Sequence, residues 1–195
     1  MKPIREIVLD TETTGLDPAK GDRLIAIACV ELINHQPTGR VYQQYINPSL
    51  KMTPEIIAVH GITNEFLLDK PKFSKIADDF LNFIGSYPLI IHNANFDMNF
   101  IKSELRKCHR RKPQNKVIDT LLIARQKFPG KRCNLTALCE QFHINPNKIS
   151  ETGPLLDAIL LAKVYRLMLY PTLWEKVKWK IKYNSITQNI TSKKQ

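Results

Sequence analysis

No stretch of about eighteen consecutive apolar residues occurs anywhere in the 195-residue chain, so no membrane-spanning helix is expected. The opening residues Met1-Lys2-Pro3-Ile4 carry neither the apolar core nor the small-residue cleavage site of a secretory leader. They lead straight into a strand pattern, as expected of a cytoplasmic protein. Cysteine is scarce. Cys29, Cys108, Cys133 and Cys139 contain no Cys-x-x-Cys spacing and sit in apolar or helical patterns, which argues against a disulfide framework and against a zinc site. No internal repeat is present. Acidic charge is also in short supply: 18 acidic side chains face 29 basic ones, for a net charge of +11. The balance favours an anionic partner, nucleic acid first, although a basic protein with no such partner gives the same sum. The excess is clustered. Arg106, Lys107, Arg110, Arg111 and Lys112 form one group, and Lys176, Lys178, Lys180 and Lys182 another. Both can meet phosphates without reading sequence.

What is present fits one domain with a sizeable core. Residues 4–10 and 23–33 read as buried strands, and 40–47 as a third. Pro37-Thr38-Gly39 is a short connection, so the second and third strands are expected to pair as a hairpin. Pro54 can open a short helix to about Val59. Helical spacing of Phe73, Ile76, Ala77, Phe80, Leu81 and Ile84 predicts a helix over 73–84. Leu89-Ile90-Ile91 reads as a short strand, followed by a helix over 95–108 with Phe96, Phe100 and Leu105 on its apolar face. Val117-Ile118 is a further strand end, and helices are expected over 120–127, 134–142 and 154–169. Three antiparallel strands followed by strand–helix alternation give an α/β fold, a mixed sheet with helices on both faces. Residues 176–183 alternate lysine with Val177, Trp179, Ile181 and Tyr183. The pattern suits a lysine-protected edge strand, a nucleic-acid-binding tail or a partner-docking segment. The polar last dozen residues carry too little apolar surface to fold alone.

The chemistry concentrates in Asp10-Thr11-Glu12-Thr13-Thr14-Gly15, at the end of the apolar run from Ile4 to Leu9. Alternate strand residues share a face. Asp10 and Glu12 therefore converge, and two adjacent negative charges need a neutraliser. A divalent cation with oxygen ligands is the simplest one. Asp157 lies within the apolar run Leu155-Leu156-Asp157-Ala158-Ile159-Leu160-Leu161, where a lone acid is costly unless paired or metal-bound. Asp97, in His92-Asn93-Ala94-Asn95-Phe96-Asp97, reads on its own as a first-turn acid that complements a helix dipole sooner than as a site residue. His60, in Val59-His60-Gly61-Ile62, reads as a structural histidine in a turn unless other residues join it.

Taken together, Asp10-x-Glu12, Asp97 and Asp157 resemble the four carboxylates of the DEDD 3′–5′ exonucleases. Among these the likeness is greatest to the proofreading epsilon subunits of bacterial DNA polymerase III. Val59-His60-Gly61-Ile62, Glu65-Phe66-Leu67-Leu68-Asp69-Lys70-Pro71 and Phe128-Pro129-Gly130-Lys131-Arg132 extend it over most of residues 4–168. The resemblance implies a ribonuclease H-like fold with a mixed five-stranded sheet, spanning residues 1–170, and a basic extension over 171–195. It implies two divalent cations, Mg²⁺ or Mn²⁺, held by Asp10, Glu12 and Asp157 with Asp97 assisting. Asp10, Glu12, Glu55, His60 and Asp157 would lie against the substrate. The implied partners are a single-stranded or mismatched DNA 3′ end and a replicative polymerase subunit. Trp174 and Trp179 in the extension are candidate anchors for the latter. Two cations clamping the attacking and leaving oxygens of a phosphodiester are the chemistry such acids suit.

The chain departs from the family pattern in two respects, its general base and one strand acid. Its histidine branch has a histidine five residues before the last aspartate, where this chain has Thr152. Its tyrosine branch has a tyrosine four residues before, where this chain has Gly153. A threonine hydroxyl can hydrogen-bond a water but cannot take its proton near neutral pH, and a lost general base costs about 10²–10⁴ in rate. Ala26 stands where the resembling strand has an acid. His143, fourteen residues before Asp157, is the remaining candidate base near that loop. The sequence thus leaves two readings: an exonuclease of reduced rate, or a degenerate domain that binds nucleic acid or stabilises a polymerase.

Overall fold

The computed structural model describes residues 3–170. Five strands form one sheet: β1 (Arg5–Thr13), β2 (Leu24–Ile33), β3 (Gln36–Tyr45), β4 (Leu89–Ile91) and β5 (Val117–Asp119). Their order is β3-β2-β1-β4-β5. The β3-β2-β1 half is antiparallel, whereas β4 runs parallel to both β1 and β5. Seven α-helices accompany them: α1 (Pro54–His60), α2 (Asn64–Leu67), α3 (Phe73–Ile84), α4 (Ala94–Lys107), α5 (Thr120–Lys127), α6 (Leu135–Gln141) and α7 (Gly153–Leu169). The mixed five-stranded sheet is the expected one. Among the described residues no helix is long and apolar enough to cross a membrane. The lysine-alternating segment 176–183 and the Trp174 and Trp179 anchors lie outside the described residues.

The alternation of β1 divides the molecule into two layers. Ile7 and Leu9 point into a core shared with Phe73, Phe80, Phe100 and Ile101 of α3 and α4. Val8 points the other way, onto Ala158, Leu161, Ala162 and Tyr165 of α7. A strand covered on both faces has to be apolar throughout, and β2 is buried continuously from Leu24 to Leu32. The one charged residue of that run, Glu31, is held by Arg5, Arg40 and Thr38.

One expectation needs correction. The β2–β3 turn is at Asn34-His35, not at Pro37–Gly39, and β3 starts at Gln36 rather than Arg40. Asn34 and His35 adopt φ of 50° and 62°, the left-handed pair of a hairpin turn whose twist matches the strands. The Asn34 side chain accepts the Ile4 N–H at 2.9 Å and so fixes the turn. Pro37 is accommodated because β3 is an edge strand, and the ladder absorbs the change as an irregularity between Val30 and Leu32.

Candidate active site

Asp10 and Glu12 belong to the even-numbered face of β1, the face that α7 covers. Asp157 descends onto them from the second turn of α7. One oxygen from each of the three carboxylates lies within 4.8 Å of the other two, and all three residues are half-buried. Opposite them on β2 stand Ala28, paired with Asp10, and Ala26, paired with Glu12. Two methyl side chains leave the space in which the carboxylates meet. Ala26, where the resemblance leads one to expect an acid, thus contributes no charge to the cluster.

The cluster is electrostatically costly as it stands. Burial, then the neighbouring Asp97, Asp157 and Glu12, hold the Asp10 carboxyl well above the usual range. Burial and the charges of Asp157 and Asp97 push Glu12 up to about 7. Burial also raises Asp157. A bound cation would offset the repulsion among such carboxylates and favour their ionised form. The donors are all hard oxygens, which suits divalent cations of the magnesium or manganese type and not softer metals.

Asp97 comes from the opposite layer. It lies in the first turn of α4, 5% exposed, and accepts the Thr11 hydroxyl on Oδ1 at 2.7 Å. Thr11 sits between Asp10 and Glu12 but faces the other way. The fourth acid therefore reaches the sheet end around β1 rather than joining the other three on one face. Burial raises its pKa, with the Thr11 hydrogen bond acting against the rise.

The start of α4 is set by a residue that the sequence reading passed over. Asn93 takes a left-handed conformation and offers no side-chain cap. Asp119, at the end of β5, accepts from the N–H groups of Asn93 and Ala94 at 3.2 and 3.0 Å, and from Leu121 N at 2.9 Å. One carboxylate thus caps α5 and anchors α4, fixing the turn that carries Asp97. The signal was present as an Asp-Thr pair ahead of a helical run.

Glu55 and His60 both lie on α1, outside the carboxylate cluster. Partly buried Ile56 and Ile57 of that helix pack against Ile25 and Ala26 of β2. Glu55 is exposed, and a hydrogen bond from Thr53 lowers its pKa. His60 accepts the Ile62 N–H on Nδ1 at 3.0 Å. Its Nε2 is buried with no partner among the described residues, and burial lowers its pKa. Thr152 is the exposed residue preceding α7 and makes no side-chain cap bond. His143 follows α6 and is not part of the three-carboxylate group. A second residue missed in the sequence is Tyr45. It pairs with Ala26, which pairs with Glu12, so the three form one cross-strand row. A Cβ on Gly153 would lie 3.2 Å from the Tyr45 hydroxyl. Nothing local to Tyr45 announces this, because the approach depends on where α7 begins.

A model of the exonuclease family matches residues 7–151. The chain is 48% identical over 169 residues to the DNA polymerase III subunit epsilon of Rickettsia felis, covering 85% of this chain and 74% of that one. It is 44% identical over 172 residues to the corresponding subunit of Escherichia coli K12, covering 84% and 71%. Among solved structures, the nuclease domain of 3′hExo, a DEDDh family member bound to rAMP, superposes with a TM-score of 0.73 at 19% identity, over 86% of this chain and 92% of that one. Escherichia coli exonuclease I in complex with a dT13 oligonucleotide gives 0.73 at 16% identity, over 89% and 43%. At such identities the structural likeness speaks for the fold.

Proposed function

The chain belongs to the exonuclease family, and from that membership we propose that it trims single-stranded or mismatched DNA 3′ ends in the cytoplasm as the epsilon-like proofreading subunit of a bacterial DNA polymerase III. Its fold is ribonuclease H-like and its class is nuclease. The observation that carries the proposal is the meeting of Asp10, Glu12 and Asp157, with oxygens within 4.8 Å of one another. The polymerase partner is inferred from the relatives, which are named as subunits of that enzyme.

In this reading Asp10, Glu12 and Asp157 hold two divalent cations, Mg²⁺ or Mn²⁺, and Asp97 assists. The bound cations supply the positive charge that an in-line phosphodiester displacement needs at its attacking and leaving oxygens. The protein's own work is to bring three acids together on one face and to hold the fourth beside them from the other layer. Thr11 donates to Asp97 and lowers its proton affinity, while Asp119 anchors the turn from which Asp97 projects. Glu55 and His60 flank the terminal nucleotide, and the Nε2 of His60, unpartnered among the described residues, is a group left over for a ligand. Thr152 can orient a water but cannot take its proton, so turnover is slow for want of a side-chain base.

The decisive experiment is release of single nucleotides from a 3′-labelled mismatched DNA end with Mg²⁺ or Mn²⁺. It compares the native chain, Asp10→Ala and Thr152→His. Cleavage by the native chain and not by Asp10→Ala supports the proposal. Cleavage by Thr152→His alone favours the second reading, suggested by Thr152 itself: a domain that retains its acids and its DNA but serves as a binding or polymerase-stabilising subunit.

A further inference from the structure

The basic cluster 106–112 is not spread over the surface at random. Its Arg106, Arg110 and Lys112, with α4 and the 3₁₀ turn Pro18–Lys20, line an open cavity of about 670 Å³. Asn99 lies three and four residues before Lys102 and Ser103, and Arg106 four and three residues after them, so one face of α4 forms a wall. His109, Arg110 and Lys112 continue it beyond the helix end. Arg110 is already engaged, since it forms a two-pronged ion pair with Asp78 at 2.7 and 2.8 Å. Lys102, Arg106 and Lys112 have no ion-pair partner among the described residues, and all three are exposed. The single acid of the wall, Asp17, has one oxygen occupied by the Ala19 N–H at 2.9 Å. Ser103 adds an independent sign. It is 7% exposed, lines the cavity, and its Oγ has no hydrogen-bond partner among the described residues. A buried hydroxyl without an acceptor is costly. Three free cations beside an orphaned donor are the requirements of a phosphate.

Helix α4 carries both Asp97, in its first turn, and the basic wall of the cavity. Lys102 and Arg106 lie five and nine residues after Asp97, about 8 and 14 Å along the helix axis and on the solvent side of the helix, opposite the buried Asp97. Given roughly 3.4 Å of axis per phosphate in one strand of a duplex, that path takes at least about four nucleotides. Taking the exonuclease reading as its basis, we propose that the cavity between the Pro18–Lys20 turn and α4 docks backbone phosphates of the nucleic acid, several nucleotides from the 3′ end held at the carboxylates. The phosphates belong either to the strand being trimmed or to its complement. The contact reads no sequence. It holds a long substrate in place and does nothing for a short one.

The test is fluorescence-anisotropy binding with divalent cations chelated, so that no strand is cut. It uses a trinucleotide, a 12-nucleotide single strand and a 12-base-pair duplex over a range of salt. The native chain is compared with Lys102→Ala/Arg106→Ala, whose exposed side chains can be removed without touching the core; Lys102→Gln/Arg106→Gln repeats the comparison with longer side chains. The double variants should bind 12-residue ligands about tenfold more weakly, with a salt slope smaller by about 1.5, because each lost phosphate contact removes about 0.7–0.9. Trinucleotide binding should not change. Loss confined to the single strand assigns the phosphates to the trimmed strand, and loss confined to the duplex assigns them to the complement. Unchanged affinity and slope for both 12-residue ligands would overturn the proposal even if the enzyme cuts normally. So would an acidic peptide that competes with the DNA and loses its own binding in the double variants, since the site would then be a protein dock. A native chain that cuts nothing, yet loses length-dependent binding in the variants, leaves the docking site standing and removes the exonuclease reading.

Discussion

The hydroxyl of Thr11 donates to Asp97 Oδ1 at 2.7 Å, tying the middle of the Asp10-Thr11-Glu12 triplet to α4 on the far side of the sheet. Strand alternation sends the outer two residues of the triplet to α7 and the central one to α4. The triplet therefore organises acids in both layers. Thr11→Val keeps the shape and removes the donor, leaving a buried carboxylate short of a partner. The expected cost is about 1–3 kcal/mol, which for a domain of this size lowers Tm by roughly 2–4 °C per kcal/mol. Nucleotide release should fall more than the stability loss explains. Thermal melts and turnover on one preparation check both.

The metal-free protein should lose stability as pH rises from about 5 to 8. Glu12 ionises near 4.5 in an unfolded chain but near 7 in the folded one. Between those values the folded state holds the extra proton, so rising pH favours unfolding. The penalty is absent below 4.5 and complete above 7. For Glu12 alone it approaches about 3 kcal/mol, and the raised carboxyls of Asp10, Asp97 and Asp157 act in the same sense. Saturating Mg²⁺ or Mn²⁺ should flatten the profile, because cation binding replaces the protons. Melting curves at pH 5, 6, 7 and 8, with cation and with chelator, decide it. A metal-free Tm that climbs over that range would contradict the electrostatic account of the cluster.

Much of this is legible in the sequence. Asp10 and Glu12 share a face because strands alternate, and Asp157 stood out as a charge inside an apolar helix. The mixed character of the sheet followed from three antiparallel segments and the strand–helix alternation after them, whereas the strand order did not. Three further things were not legible. The hairpin turn hid in Asn34-His35, because Pro37 and Gly39 gave the stronger local turn signal and only pairing with β2 shows that they lie within a strand. Asp97 looked like a helix-start acid, and it is one. Its second role depends on Thr11, 86 residues away. Tyr45 belongs to the site region only through the register of β3 and the entry point of α7.

A second buried acid on α4 gives a structural prediction. Glu104, 2% exposed, accepts from Arg23 Nε and Nη2, the latter at 2.8 Å, and Arg23 also donates to Pro48 O at 3.1 Å. The pair fastens the start of β2 to α4. Arg23→Ala leaves Glu104 with Lys107 Nζ at 3.9 Å as its remaining ion-pair partner. It should cost about 3–5 kcal/mol, the usual result of stranding one buried charge. Arg23→Met with Glu104→Leu should recover most of that loss. Urea unfolding of the three proteins tests the argument. A double variant as unstable as Arg23→Ala would show that the contact to Pro48, not the charge, matters.

The missing general base can be restored at one position and not at the other. Thr152 precedes α7 with an extended φ of −131°, is exposed, and spends its side chain on no cap bond. Histidine adopts that backbone without strain, and its ring has open space. Gly153 differs on both counts. Its φ is +61°, a conformation that costs an L-residue about 1–3 kcal/mol, and its Cβ would press on the Tyr45 hydroxyl at 3.2 Å. Thr152→His should therefore raise nucleotide release by about 10²–10⁴ and add an acid limb near the ordinary histidine pKa of roughly 6.5 to the pH–rate profile. Gly153→Tyr should stay as slow as the native chain and melt earlier, although it supplies the tyrosine of the other branch. Single-turnover rates from pH 5.5 to 9, with melting temperatures for both variants, separate the two outcomes. A Gly153→Tyr protein that is stable and fast would mean that the start of α7 yields more readily than the Tyr45 contact allows.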